Sequence, residues 1–328
     1  MTEQPHGHVP VLGPEVVVAL SPTPGDLVID CTAGRGGHSE MLALAMRSGT
    51  LVLSDLDPAN LAYAAARIAR AAPNVTTVPL QGDFRHLALR MRTMGLPPAN
   101  ALLADLGVSS LHLDDPARGF SFSADAPLDM RLDPAGSRTA ADLVASLSED
   151  ELTTVIGHLG EEPLARRIAR KVAESREVAP IKTTAQLALL VREAYGPRAR
   201  TSRLHPATRT FMALRIAVND ELGALEGLLS EVATATHELG RGKSGWLAPD
   251  ARVAVISFHS LEDRLVKRSF AALESSGLAS RPARKPLVAS DAEVDANPRA
   301  RSAKLRIIRL GSAQCAQARS KDAAPHDP

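Results

Sequence analysis

The feature that most constrains this chain is a short apolar run, Leu27-Val-Ile-Asp-Cys31, that passes straight into a glycine-rich loop, Thr32-Ala-Gly-Arg-Gly-Gly-His38. A helix-like segment follows, to about Arg47. A strand that ends in a glycine turn and opens a helix builds a cradle for a nucleotide or cofactor. Glycine lets the backbone approach a ligand, and the helix N-terminus offers N–H groups that no intrahelical carbonyl uses. The same rhythm continues downstream. Residues 50–55 read as a second strand, an alanine-rich segment after Pro58 as a helix, residues 75–81 as a third strand and residues 101–105 as a fourth. Strands alternating with helices predict a parallel, doubly wound α/β sheet.

Composition narrows the class. The chain has 328 residues, is 45% hydrophobic and 23% charged, and carries a formal net charge of +1. That is a globular composition with length for two domains, or for one domain with a large insertion. No apolar stretch reaches the ~18–20 residues of a membrane span, and the N-terminal segment lacks a signal-peptide core. Cys31 and Cys315 cannot form a disulfide framework, so a reducing, cytoplasmic location is expected. Aromatic residues make up only 3%, which argues against a nucleic-acid binder built on a stacking platform.

The near-zero net charge hides an uneven distribution. Residues 1–160 carry 10 Arg and no Lys against 18 acidic residues. Residues 161–209 carry 11 basic and 5 acidic residues, and residues 277–321 carry 10 basic and 3 acidic. Two basic segments on an otherwise acidic chain fit contact with a polyanion; the plainer reading of each is a solvated face.

After Asp105 the strand–helix rhythm stops. Residues 107–138 read as an extended loop, and residues 139–195 as helices punctuated by Pro163, Pro180 and Pro197. From His205-Pro206 the apolar positions Phe211, Leu214, Val218, Leu222, Leu225, Leu229 and Val232 step by three or four, which predicts one continuous helix. Strands return at residues 252–258 and 304–310. The expected organisation is a nucleotide-binding α/β domain at 1–114 and 212–311, interrupted by a helical insertion at 115–211. A disordered polar tail is expected at 312–328.

Four carboxylates fall at or just after strand ends: Asp30, Asp55, Asp83 and Asp105. Asp55 is placed to accept both hydroxyls of a ribose, and Asp83-Phe84 to hold an adenine. A pyrophosphate would be repelled by Asp30, whereas the positive charge of S-adenosyl-L-methionine would be tolerated there, which favours that cofactor over NAD. For any one Asp the plainer reading is a turn or helix cap.

Other motifs are weaker. Gly240-Arg-Gly-Lys-Ser244 lacks the first glycine of a P-loop and reads as a turn. His6-Gly-His8 and His237-Glu238 lack further ligands at metal spacing, so no metal is expected. Cys31 reads as a small buried hydrophobe, which disfavours methylation of a pyrimidine carbon through a cysteine adduct and leaves nitrogen or oxygen acceptors. Groups that could orient an amine or take its proton are Asp105, Ser109-Ser110, Asp129 and His259. Ser260-Leu-Glu-Asp263 looks like a capping box, so His259 has a packing role as its alternative. Arg215 and Asn219, four apart on a helix face, read as a structural pair or a phosphate contact.

Eight stretches together resemble the RsmH/MraW methyltransferase family. They are His8-Val-Pro-Val-Leu12, Thr32-Ala-Gly-Arg-Gly-Gly-His-Ser39, Asp105-Leu-Gly-Val-Ser-Ser110 and Leu113-Asp-Asp-Pro-Ala-Arg-Gly-Phe-Ser-Phe122. Pro127-Leu-Asp-Met-Arg131, His205-Pro-Ala-Thr-Arg-Thr-Phe211, Ile256-Ser-Phe-His-Ser-Leu-Glu-Asp-Arg264 and Asn297-Pro-Arg-Ala-Arg-Ser302 complete the set. The resemblance implies a Rossmann-like class I S-adenosylmethionine-dependent methyltransferase fold with an inserted all-helical domain. It implies transfer to N4 of a cytidine in the decoding region of 16S rRNA, within the small ribosomal subunit. Its cofactor residues map to Gly36, Gly37, His38, Asp55, Phe84, Asp105 and His112. Two positions depart from the pattern: Ala33 replaces a phenylalanine, and Leu111-His112 a proline–glutamine pair. Asp105 and His259 are the catalytic candidates on the residues' own chemistry. An NAD-linked oxidoreductase and a ribosome-assembly factor without chemistry remain as alternatives. The oligomeric state, monomer or homodimer, stays open.

Overall fold

The computed structural model describes residues 10–108, 115–201 and 205–311. The chain divides into two compact units, one formed by the residues up to Gly107 together with those from Leu222 onward, the other by Val108–Glu221.

The first unit is a sheet with helices on both faces. Its elements are α1 (Gly13–Leu20), β1 (Leu27–Asp30), α2 (Gly37–Met46), β2 (Gly49–Asp55), α3 (Pro58–Ala71), β3 (Val75–Gln81), α4 (Leu87–Thr93) and β4 (Ala99–Asp105). The second stretch supplies most of α10 (Glu221–Gly240), then β5 (Leu247–Ser257), α11 (Ser260–Ser275), β6 (Ala279–Ser280), α12 (Asp291–Ala296) and β7 (Lys304–Leu310). The strands run in the order β3-β2-β1-β4-β5-β7-β6. The first five are parallel, but β7 is antiparallel to β5, and β6 to β7. The all-parallel expectation is thus corrected at one edge, where the segment that carries α12 brings the chain from β6 back as its antiparallel neighbour β7. The architecture is the expected Rossmann-like α/β fold, with helices on both faces of the sheet.

Strand periodicity explains how both faces are buried. Leu27 and Ile29 of β1, Val52 of β2, Leu102 of β4 and Val253 of β5 face one core, with Leu87, Met91, Leu228, Val232 and Phe270 from α4, α10 and α11. Their neighbours Val28, Leu51, Leu53, Leu103 and Ile256 face the other core, with Val16, Leu42, Met46 and Ile68 from α1, α2 and α3. Near-continuous apolar strands are what a sheet covered on both sides requires. All four parallel strands predicted first thereby bring their carboxyl ends to one edge.

The second unit is helical: α5 (Ala140–Ser146), α6 (Glu149–Gly160), α7 (Ala165–Val178), α8 (Thr184–Tyr195) and α9 (Ala207–Asn219). Capping boxes at Thr139, Ser148 and Thr183 start α5, α6 and α8. Leu143, Leu152, Ile156, Ile168, Val172, Leu187, Val191, Phe211 and Leu214 form its core.

The single helix expected beyond His205 is two. Asp220 takes a left-handed conformation (φ 48°) between α9 and α10. The side chain of Asn219 is committed to the backbone outside the helix, accepting from Leu132 N at 2.7 Å and donating to Met130 O at 2.7 Å. Asn and Asp tolerate and often terminate helices this way. The apolar stripe crosses the break unchanged because its first part serves one core and its second part another. Consequently the two units meet the chain at 107/108 and 221/222, against expected limits at 115 and 211. The expected tail, 312–328, lies outside the described residues. Sequence reasoning also missed α1, whose Val16-Val-Val18 run reads as a strand but follows Pro14 in the first turn.

Candidate active site

The site forms where β1, β2 and β4 end. Asp30 closes β1 and is buried beneath the glycine loop, accepting from Thr32 N at 3.1 Å and from Ser39 Oγ at 2.6 Å. Burial pushes its carboxyl above the ordinary range, against the hydrogen bonds that favour ionisation. Gly34, Gly36 and Gly37 shape the loop. Gly36 has φ 76°, and a Cβ there would lie 3.1 Å from the Ala64 backbone; a Cβ on Gly37 would lie 2.9 Å from Pro10 Cγ. Packing against α3 and the chain before α1 therefore demands glycine at both positions, independently of any ligand.

Asp55, at the end of β2, takes Gly34 N at 2.8 Å on Oδ2, and Asp57 N at 2.8 Å and Asn60 Nδ2 at 3.3 Å on Oδ1. A carboxylate offers about four acceptor directions. With three in use, about one direction stays open. Burial raises its carboxyl as well. Asp83 caps the turn after β3, accepting Arg85 N at 2.8 Å and Arg85 Nε at 2.6 Å. It is thus already committed, in the plainer role that strand-end aspartates have. Phe84, beside it, is half-buried and packs on the sheet.

Asp105 ends β4. Its backbone N–H donates to Thr32 Oγ1 at 2.7 Å, tying β4 to the loop. Its Oδ2 lies 3.4 Å from His38 Nδ1, and its Oδ1 is buried with no hydrogen-bond partner among the described residues. Burial pushes this carboxyl up to about 6; His38 opposes the shift, and Asp30 and Glu262 add to it. An orphaned, proton-hungry carboxylate facing a cradle is what an amine-binding site needs. His38 is buried on α2, and its Nε2 lies 2.9 Å from Val11 O.

His259 follows β5 and is the N-cap of α11, one residue before the expected cap at Ser260. Its Nδ1 accepts from Glu262 N at 3.5 Å, and its Nε2 lies 3.1 Å from Glu262 Oε1 without the geometry of a hydrogen bond. Glu262 in turn accepts Phe258 N at 2.8 Å and His259 N at 3.3 Å. Sequence reasoning passed over Glu262 as a site residue, although its place three after His259 in a capping box was the available signal.

Asp129, in the helical unit, is bridged to Arg131 at 2.7–2.8 Å. Despite partial burial, those hydrogen bonds hold its carboxyl below the usual range. Arg215 pairs with Glu221 at 2.8 Å and Asn219 binds backbone, so the structural reading of that pair holds. Cys31 is buried, and burial together with Asp30 raises its thiol far above reactivity at neutral pH. Ser109, Ser110, His112, His6, His8 and Cys315 lie outside the described residues.

Comparison with known proteins places nearly the whole chain in one family. Residues 5–310 match the model of the MraW methylase family. The chain is 45% identical over 308 residues to a Sorangium cellulosum protein named ribosomal RNA small subunit methyltransferase H, covering 94% of this chain and 92% of that one. It is 46% identical over 300 residues to the protein of that name from Deinococcus radiodurans, covering 92% and 88%. The Synechococcus protein of the same name is 46% identical over 310 residues, covering 94% and 96%. Matched by the family model and by these relatives over nearly its whole length, the chain is a member of the MraW methylase family.

Proposed function

We propose that this chain transfers the methyl group of S-adenosyl-L-methionine to N4 of a cytidine in the decoding region of 16S rRNA, with Asp105 taking the proton that N4 releases. The observation that carries the reading is Asp105 itself: a carboxylate at the end of β4, beside the glycine cradle, with one oxygen unpartnered. An exocyclic amine needs alignment, a hydrogen-bond acceptor that restores lone-pair character to nitrogen, and a proton sink. No cysteine adduct is required, consistent with a buried Cys31.

The residues present fit the cofactor. Gly36, Gly37 and His38 shape the cradle, the free acceptor direction of Asp55 takes a ribose hydroxyl, and Phe84 offers an aromatic face. Asp105 faces the reacting end, and His112 completes the set by its place in the motif. S-adenosyl-L-methionine supplies a methyl on positively charged sulfur, which the acidic surroundings of Asp30 and Asp105 suit. His259 acts through Glu262, holding the carboxylate that raises Asp105.

The basic segments 161–209 and 277–321 would hold RNA phosphates of the small subunit. Among the described residues no helix is long and apolar enough to cross a membrane. The ribosomal substrate gives the enzyme a cytoplasmic place of work. Incubation with S-adenosyl-L-methionine and small subunits from a strain lacking the enzyme tests the proposal. Nucleoside mass spectrometry should then find N4-methylcytidine, and Asp105→Asn should abolish most of it. Cofactor binding without any methylated cytidine would overturn it.

A further inference from the structure

His38 stands close to Asp105 in an arrangement that fixes which of its nitrogens can act as a base. A carbonyl oxygen only accepts, so the 2.9 Å contact between Nε2 and Val11 O requires the ring hydrogen on Nε2. In the neutral ring Nδ1 is then an unshared lone pair, and it points at Asp105 Oδ2, 3.4 Å away. Two acceptors facing each other in a buried place are unfavourable unless a proton lies between them. We propose that His38 and Asp105 form a proton-holding pair, in which Asp105 receives the proton from N4 and passes it to Nδ1 of His38. This rests on the methyl-transfer reading above.

The balance of the step is simple. The bond from N4 to the methyl carbon forms as the sulfur–methyl bond breaks, and the sulfur keeps the electron pair. The N4–H proton goes to the carboxylate of Asp105 and then to Nδ1, so Asp105 is again an anion, now beside an imidazolium. Water later removes the proton. Catalytic contacts of this kind are commonly loose before substrate binds and tighten with it.

Carboxylates surround the pair. Asp30 lies beneath the loop from β1 and interacts with His38, Asp105 faces the ring from β4, and Glu262 of α11, with His259 against it, acts on Asp105. Glu40, on the same helix as His38, is already paired with Arg67 at 3.0 Å. A proton placed on Nδ1 is thus met by carboxylates and by no cation among these groups. This also separates the roles of the two histidines, since His259 has its Nδ1 occupied by the helix cap.

Two measurements test the pair. The first is nitrogen NMR of the histidine-labelled protein without cofactor, at neutral pH. His38, assigned by its loss in His38→Gln, should show the Nε2–H tautomer; an Nδ1–H tautomer would overturn the proposal without reference to activity. The second is the pH dependence of single-turnover methyl transfer, with cofactor affinity followed by calorimetry. Gln can still donate to Val11 O but has no basic nitrogen, so transfer should fall about tenfold or more. Because His38 lowers the carboxyl of Asp105, its loss should move the acid limb of the profile to higher pH. A slower variant with an unmoved acid limb makes His38 merely structural and sinks the pair alone. Failure of the wild-type protein to methylate 16S rRNA overturns the functional reading, and the proton role with it.

Discussion

Asp55 Oδ2 accepts the backbone N–H of Gly34 at 2.8 Å, across the 21 residues between the glycine loop and the end of β2. One strand end thus holds in place the loop that leaves its neighbour. The carboxylate does this before any ligand arrives, so the shape of the cradle is preset.

Asp55→Ala should therefore weaken S-adenosyl-L-methionine binding beyond the loss of a single ribose contact. Removing a charged acceptor from a backbone donor costs about 1.5–3 kcal/mol, which corresponds to a 10- to 100-fold rise in Kd by calorimetry. Asp55→Asn should lose nearly as much, since its amide must present an NH₂ either to Gly34 N–H or to Asp57 N–H. Wild-type affinity in Asp55→Asn would show that the loop holds its shape without this bond.

Asp105 carries a stability cost that pH can expose. Its carboxyl lies at about 6 in the folded chain against 3.8 as the ordinary value. A raised pKa means the folded state binds the proton more tightly, so the stabilisation is full below about pH 4 and is lost as pH rises through 6. Two units correspond to about 3 kcal/mol, an upper figure because neighbouring carboxyls share the effect. Asp105→Asn should be more stable than wild type above pH 6 by up to that amount, and equal to it near pH 4. Urea midpoints at the two pH values check this, and a loss of stability in the variant at pH 8 would contradict it.

Cys31 should be silent chemically. Its thiol is buried and pushed up by desolvation and by Asp30. In a Cys315→Ser background, Ellman's reagent at pH 8 should find no reactive thiol until denaturant is added. Cys31→Ala should retain methyl transfer, because the proposed reaction passes through no cysteine adduct. Loss of transfer in a folded Cys31→Ala would reopen covalent chemistry.

Asn219 closes α9 with three side-chain hydrogen bonds, to Leu132 N, Met130 O and Arg215 O, at 2.7, 2.7 and 2.9 Å. Asn219→Ala leaves two backbone groups of the 130–132 segment without partners. At about 1–1.5 kcal/mol for each of the two, the loss should be roughly 2–3 kcal/mol. Denaturant unfolding of the variant measures it, with methyl transfer as a control for local damage.

How much of this was legible in the sequence differs by element. The strand–loop–helix at 27–46 and the carboxylates at 30, 55, 83 and 105 could be read because a parallel strand's end, a glycine turn and a helix start are all local signals. The break at Asp220 could not, because the apolar stripe runs through it and only the tertiary demand of the 130–132 backbone on Asn219 stops the helix. The antiparallel β7 was equally silent, since Lys304-Leu-Arg-Ile-Ile-Arg-Leu310 would look the same in either direction. Asp83 carries two readings at one position: Arg85, two residues on, takes two of its acceptor directions as a turn partner, a contact that strand-end placement alone does not reveal. Likewise, the sequence named His38 but could not show that Val11 O, far from it along the chain, fixes its tautomer.

The basic surface of the helical unit gives the last prediction. Arg166 and Arg167 are exposed on α7, whose core side is Ile168 and Val172. Their charges can change without touching that core. If this face holds rRNA phosphates, replacing both with Glu removes two cations and adds two anions, so affinity for a 16S fragment should fall at least tenfold at low salt. The slope of log affinity against log salt should also flatten by about 0.7 for each lost contact on single-stranded RNA. Cofactor affinity should not move, because neither residue belongs to the glycine cradle. Filter binding from about 50 to 200 mM salt separates the outcomes. A variant with weaker binding but an unchanged salt slope would mean that the arginines support the fold of α7 rather than contact phosphate. Unchanged binding would shift the RNA face to residues 277–311 in the sheet unit, where Arg281 and Arg306 already serve Glu274 and Asp263.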